Sequence, residues 1–169
     1  MEQLVWHVAA HEVGHAIYNL DSVAGEINMP GMSTLLEEPR AELTAMFTLN
    51  LLHTNGMLTL PHLKECLAHF ALDALRYFAK FRSAPLRPYI IFQIYAWKVY
   101  HKHGYLTENE AGLVEIDDSK TLAVLEEFSR TYEAILDCED ALDGAGLQRI
   151  LDDMAVETDF IQRIVAKVL

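Results

Sequence analysis

The chain has little cysteine, no long apolar run and few basic residues, and each shortage narrows what it can be. Its 169 residues include two cysteines, Cys66 and Cys138. Both lie in apolar helical patterns, and we interpret them as reduced core thiols, typical of a reducing compartment. No apolar run reaches the roughly 20 residues of a membrane span, and the first residues lack the features of a signal peptide. These observations predict a cytoplasmic protein.

Positive charge is scarce. The chain has 13 lysines and arginines against 25 aspartates and glutamates, which gives a net charge of −12. This balance disfavours binding to nucleic acid or to anionic membrane surfaces, so we expect neither as a partner. The length is typical of one domain, and a chain that is 51% hydrophobic can bury a core.

Apolar spacing predicts a mainly α fold. The pattern indicates helices over 2–20, 36–53, 60–81, 88–103 and 119–138, with one or two more over 147–169. The helix over 88–103 is apolar nearly all round and should be buried. We therefore expect about six helices around this central one, in a single domain over 1–169, with at most a short β hairpin near 105–118.

Three further expectations concern individual helices. In the first helix the core-facing stripe is predicted to comprise Val5, Ala9, Val13, Ala16 and Leu20. The second helix should begin nearer Glu37, or kink, because Pro39 is comfortable only in a first turn. In the helix over 119–138 the inward residues are predicted to be Leu122, Leu125, Phe128, Tyr132 and Ile135.

The sequence His-Glu-Val-Gly-His, residues 11–15, carries the clearest chemical signal. Residues four apart lie on one face of a helix, so His11 and His15 can direct two imidazoles at one metal ion. Glu12 lies about 100° around the helix and is free to face a water molecule. This H-E-x-x-H arrangement is typical of zinc metallopeptidases. We predict His11 and His15 as zinc ligands and Glu12 as the catalytic base.

A third ligand is expected on another helix, because such zinc sites use three protein ligands. Glu38 and Glu42 share a helical face with Ala41 and Ala45, whose small side chains let another helix come close. We predict Glu38 on zinc and Glu42 as acceptor for the other nitrogen of a ligand histidine. Glu37, about 100° away, is a lesser candidate for such support. The alternative is an acidic first turn favoured by the helix dipole.

At these residues the chain resembles the dipeptidyl peptidase III family. Residues 11–15 are similar to the family's H-E-x-x-G-H motif, and Glu-Glu-Pro-Arg-Ala-Glu, residues 37–42, is similar to its Glu-Glu-Cys-Arg-Ala-Glu motif. The order of the later helices, with Gly-Leu-Val-Glu-Ile-Asp at 112–117, is similar as well. The resemblance implies a helical zinc lobe, one zinc ion per chain and release of dipeptides from the N-termini of peptides.

Three departures from the family bear on function. The histidine motif is one residue shorter than the family's. Where the family has a histidine that steadies the reacting carbonyl oxygen, this sequence offers only Arg87, which we take as a substrate-binding candidate. The family's long N-terminal portion, with its peptide groove and catalytic tyrosine, has no counterpart here. We therefore expect the C-terminal portion of a larger protein, with an upstream domain of the same protein as partner.

Two functions follow from these residues. The first is a zinc-dependent metallopeptidase, in which Glu12 acts as general base on a zinc-activated water to cleave a peptide substrate. The alternative is a non-catalytic zinc-binding helical module or fragment, inactive without the N-terminal portion. A third reading, a metal-free helical interaction domain, requires the motif to be a coincidence.

Overall fold

The computed structural model describes residues 2–17, 30–80 and 87–168, and it confirms the mainly helical fold. Within these ranges lie seven α-helices: α1 (Glu2–Ala16), α2 (Met32–Thr54), α3 (Leu60–Lys80), α4 (Arg87–Lys102), α5 (Thr121–Asp140), α6 (Gly144–Met154) and α7 (Asp159–Val168). A two-stranded antiparallel hairpin, β1 (Leu106–Glu108) and β2 (Val114–Ile116), follows α4, and a 3-10 turn (Asp118–Lys120) leads into α5. The hairpin lies within residues 105–118, where the sequence allows at most a short one.

The buried centre of the fold is α4, as predicted, together with α2. Every residue of α4 from Ile91 to Trp97 is buried, and α4 contacts α2, α3, α5, α6, α7 and β1. The indole Nε1 of Trp97 donates to the carbonyl of Ala71 on α3 at 3.0 Å, so its one polar atom is satisfied. In the described part of the chain, no helix is both long enough and apolar enough to cross a bilayer.

The inner face of α5 follows its predicted spacing except at the first turn. Leu125, Phe128, Tyr132 and Ile135 are buried, whereas Leu122 is exposed. Leu122 lies roughly 110° around the helix from the centre of this face. Thr121 and Val124 take the buried positions of that turn instead.

The start of α2 differs from the prediction. The helix begins at Met32 rather than near Glu37, and Gly31 precedes it in the left-handed conformation with φ 75°. Glycine adopts this conformation without strain, so the chain can turn into the helix here. Pro39 consequently lies inside α2, where its missing N–H leaves out the bond to the carbonyl of Leu35.

The first helix is turned over relative to the prediction. Its expected core face is exposed, with Val5 64% and Val13 53% accessible, and Ala9 and Ala16 are exposed as well. Leu20 lies outside the described residues. The opposite stripe, which carries the histidines, packs on α2. The physical reason is that carboxylates on α2 meet these histidines, so polar contacts and close backbone packing replace apolar burial.

A close helix–helix contact at Gly14 fixes this orientation. A Cβ atom at Gly14 would lie 2.7 Å from Ala41 Cα and 3.0 Å from Thr44 Cβ. Contacts between carbon atoms settle near 3.5–4.0 Å, so a side chain at this position would push α1 off α2. The small residue expected at Ala41 therefore serves the predicted purpose, and Gly14 completes it from the other helix.

Arg40 ties α2 to both of its neighbours. Its Nη1 donates to the carbonyl of Gly14 at 3.5 Å, and its Nε lies 2.8 Å from Glu139 Oε1 on α5. Burial raises the pKa of Glu139, and the adjacent Arg40 opposes that rise. Loss of either partner would leave a buried charge without compensation, so the pair holds α1, α2 and α5 in one arrangement.

We expect Gly14→Ala to destabilise the protein by about 1–3 kcal/mol, the usual cost of adding carbon atoms to a tightly packed contact. At a helix position with no close neighbour, the same change would stabilise the protein by up to about 1 kcal/mol. The sign of the change in the free energy of unfolding therefore shows whether the contact is close. Urea unfolding measures the difference. Val13→Ala, at the exposed neighbouring position, should change the free energy of unfolding by less than about 0.5 kcal/mol. A Gly14→Ala protein as stable as the wild type would contradict the close contact.

Candidate metal centre

Three side chains converge between α1 and α2. The Nε2 atoms of His11 and His15 are 3.0 Å apart. Glu38 Oε2 lies 3.6 Å from His11 Nε2, and Glu38 Oε1 lies 3.9 Å from His15 Nε2. Within the described residues this is the one group of possible metal ligands whose ligand atoms all lie within 4.8 Å of one another. The sequence predicts the same three residues as ligands.

The separations fit a small tetrahedral cation. Ligands about 2.0–2.1 Å from a tetrahedral zinc lie roughly 3.3 Å from one another. The two imidazole nitrogens are 3.0 Å apart, and each has one of the two Glu38 oxygens at 3.6 or 3.9 Å. Glu38 Oε2 is buried and has no hydrogen-bond partner within the described residues. A buried carboxylate oxygen without a partner is costly, and a cation between the imidazoles would compensate it. A hydrogen bond between the two histidines also suits their 3.0 Å distance, but it leaves Glu38 Oε2 unpaired.

Glu42 supports the group from one helical turn further along α2. Its Oε1 lies 3.4 Å from His11 Nδ1, and its Oε2 accepts a hydrogen bond from His7 Nε2 at 3.0 Å. With Nδ1 held towards Glu42, the Nε2 of His11 is directed at His15 and Glu38. Glu42 therefore stands where the sequence predicts an acceptor for a ligand histidine.

The His11–Glu42 contact changes the acidity of both groups. Burial acts to raise the pKa of Glu42, but hydrogen bonds from His11 and His7 outweigh it, and the pKa is lowered. Burial acts to lower the pKa of His11, but the hydrogen bond and charge of Glu42, with the charge of Glu38, raise it overall. The pair thus favours its charged state.

Glu12, the predicted base, is exposed on α1. It lines a cavity of about 240 Å³ between α1, α3 and α4, whose wall also includes His11 and Glu42. The predicted supporting role of Glu37 has a looser geometry, because this exposed carboxylate lies 3.8 Å from His15 Nδ1. Arg87 is the first residue of α4, and its side chain lies outside the described part of the structure.

Tyr89 is a site residue that sequence reasoning missed. The apolar pattern of α4 assigns it to the core, yet it is partly exposed and lines the same cavity as Glu12. The hydrogen bond that its hydroxyl donates to Glu38 raises the pKa of Tyr89 to about 12. Its ring stacks on Tyr77, with centroids 6.3 Å apart. The one sequence signal is its place in the first turn of the helix, just after Pro88.

Comparison of the chain with protein-family models, with curated proteins and with solved structures finds no match. The resemblance to dipeptidyl peptidase III therefore depends on the two motifs and on the order of the segments after them. The family assignment stays a prediction.

In the metal-free protein, Glu42→Gln should flatten the loss of stability in acid. The folded-state pKa of Glu42 is below its ordinary value of 4.5. The stabilisation from its carboxylate is therefore present above that value and lost as the pH falls through the lower, folded-state pKa. The free energy of unfolding should decline less in the variant than in the wild type between about pH 6 and about pH 3.

Urea unfolding in the presence of a chelator at several pH values tests this coupling. Glu133→Gln, which removes an exposed carboxylate of α5, is the control and should keep the wild-type decline. Equal declines in the wild type and in Glu42→Gln would contradict the coupling of Glu42 to His11 and His7.

Proposed function

We propose that the chain binds one zinc ion through His11, His15 and Glu38, and that this centre belongs to a metallopeptidase similar to dipeptidyl peptidase III. The observation that carries the proposal is that one ligand atom from each of these three residues lies within 4.8 Å of the others. Glu38 Oε2 is buried at this point and has no hydrogen-bond partner in the described residues. Two imidazoles and one carboxylate leave a coordination position free, as in catalytic zinc sites, whereas structural sites use four protein ligands.

The chain's own residues have separate roles in this proposal. Zinc at this centre would supply a Lewis acid that polarises a peptide carbonyl and lowers the pKa of water. Glu12, in the cavity beside the centre, would take a proton from the attacking water and pass it to the leaving amine. Glu42 keeps the ring of His11 in place, and the Tyr89 hydroxyl orients Glu38 through its hydrogen bond. Arg87 stays a candidate for binding the substrate.

Zinc binding without hydrolysis by this chain alone is the second candidate. The cavity beside Glu12 measures about 240 Å³, below the roughly 300–1,000 Å³ of typical ligand sites, so it accommodates little of a peptide. In this case an upstream domain of the same protein would supply the remaining wall of the groove. Cys66 and Cys138 form no disulfide in the described part of the chain, which supports a cytoplasmic location for either candidate.

Metal analysis tests the centre itself. Protein loaded with zinc and then dialysed should retain about one zinc per chain by mass spectrometry of the metal. His11→Ala and Glu38→Ala should each lose it, because two remaining ligands bind zinc weakly. His62→Ala, which removes an exposed histidine of α3, should retain it. With circular dichroism confirming the fold, retention at wild-type levels in both ligand variants would overturn the assignment.

Hydrolysis tests the role of Glu12. Glu12→Gln should keep zinc but lower the rate of dipeptide release from an oligopeptide by about 10²–10⁴-fold, the usual contribution of a general base. Glu133→Gln, which removes an exposed carboxylate of α5, is the matched control and should retain the wild-type activity. A fully active Glu12→Gln protein would exclude Glu12 as the base. A wild-type protein that holds zinc and releases no dipeptide would favour the second candidate.

A further inference from the structure

A larger cavity, of about 790 Å³, lies between α4, α5 and α6. Each helix lines it with one face, since the lining residues recur three and four positions apart along each of them. The volume lies within the range of small-molecule sites. Among the residues that the structure describes, none lines both this cavity and the cavity beside Glu12.

The charge of this cavity opposes that of the whole chain. Its lining includes four basic residues, Lys98, Lys102, Arg130 and Arg149, and two acidic ones, Glu127 and Asp153. An even spread of the chain's 13 basic residues would place about one in a lining of this size. The cavity is therefore net positive in a protein whose net charge is −12, and it would attract an anion.

Two of the cations are available to a ligand. The side chains of Arg130 on α5 and Arg149 on α6 are 59% and 73% exposed. Arg130 shares Glu127 with Lys102, at 2.9 and 2.8 Å, and Arg149 lies 3.6 Å from Asp143. Exposed ion pairs of this kind contribute only about 0–1 kcal/mol, so either guanidinium can exchange its partner for a ligand at small cost. A guanidinium binds carboxylate or phosphate in a bidentate manner.

Part of the lining is apolar. Ala134 and Ile150 are half-buried and line the cavity, and Val99 and Met154 are buried beneath it. An inorganic anion would leave this surface uncovered. A ligand that satisfies both parts of the cavity needs an anionic head and an apolar body.

We propose that this cavity binds an amphipathic anion, a carboxylate or phosphate group on a medium-length apolar body. The head binds the guanidinium groups of Arg130 and Arg149, and the body covers the half-buried Ala134 and Ile150. This site is separate from the proposed zinc centre and does not depend on it.

Calorimetric titration with decanoate tests the site. We expect one decanoate per chain, and about tenfold weaker binding in Arg130→Glu and in Arg149→Glu, as for loss of a charged hydrogen bond. Arg163→Glu on α7 makes the same charge change outside the cavity and should bind as the wild type does. No binding at millimolar decanoate, or equal binding by all three variants, would overturn the proposal.

Three further ligands test separately the charge of the head group and the apolar body. Acetate has the head without the body, and decyltrimethylammonium has the body with the opposite charge, so both should bind at least about tenfold more weakly than decanoate. If the cationic ligand binds as tightly as decanoate, the proposal is wrong. Decyl phosphate distinguishes the preferred head group, and tighter binding than decanoate would assign a phosphate. His11→Ala should bind decanoate unchanged, which separates this cavity from the metal centre.

Discussion

The contact between Gly14 and Ala41 is the constraint on which the candidate metal centre depends. There is no room for a side chain at Gly14, so the depth at which α1 rests on α2 is set by backbone atoms. His15 is the next residue, and His11 lies three residues earlier, on the same side of the helix. Metal–ligand distances tolerate only about 0.2 Å of error. A change in helix separation by the width of one methyl group would therefore carry both imidazoles out of reach of Glu38.

This arrangement makes α1 an unusual amphipathic helix. Most surface helices bury their apolar stripe, whereas α1 buries the stripe that carries Ala10, Gly14 and the ligand histidines. Burial of imidazoles is favourable here because Glu38 and Glu42 meet their nitrogens. The valines of α1 are exposed as a result, because one helix cannot bury both the stripe with the histidines and the stripe with the valines.

The sequence predicts much of the fold and the residues of the candidate centre. The burial of α4 follows from its apolar residues, which occur nearly all round the helix. In α5 the helical periodicity identifies the inner face from Leu125 to Ile135. The H-E-x-x-H motif identifies His11 and His15. The need for a third ligand, with helical spacing and the small Ala41, identifies Glu38 and Glu42 on a second helix.

Other features depend on contacts that no single segment encodes. Periodicity reveals an apolar stripe and a histidine stripe on α1, but not which of them packs on α2. The predicted orientation of α1 is therefore wrong. Pro39 favours a later start for α2, but Gly31 permits the turn and burial of the helix maintains it. The apolar pattern of α4 makes Tyr89 look like a core aromatic. That pattern gives no sign of its partner, Glu38, because Glu38 lies on another helix. The cationic cavity combines three helices, and its charge emerges only when they are packed together.

The position of Arg40 has a consequence for cooperativity. A ligand that binds only the folded state adds RT ln(1 + [L]/Kd) to the free energy of unfolding, about 4 kcal/mol at a thousandfold excess over Kd. That increment is not confined to the helices that hold the ligand. Through Arg40, the carbonyl of Gly14 on α1 is joined to Glu139 near the C-terminal end of α5. Local opening of α5 would break this buried connection, so an ion held between α1 and α2 would slow hydrogen exchange in a helix that it never touches.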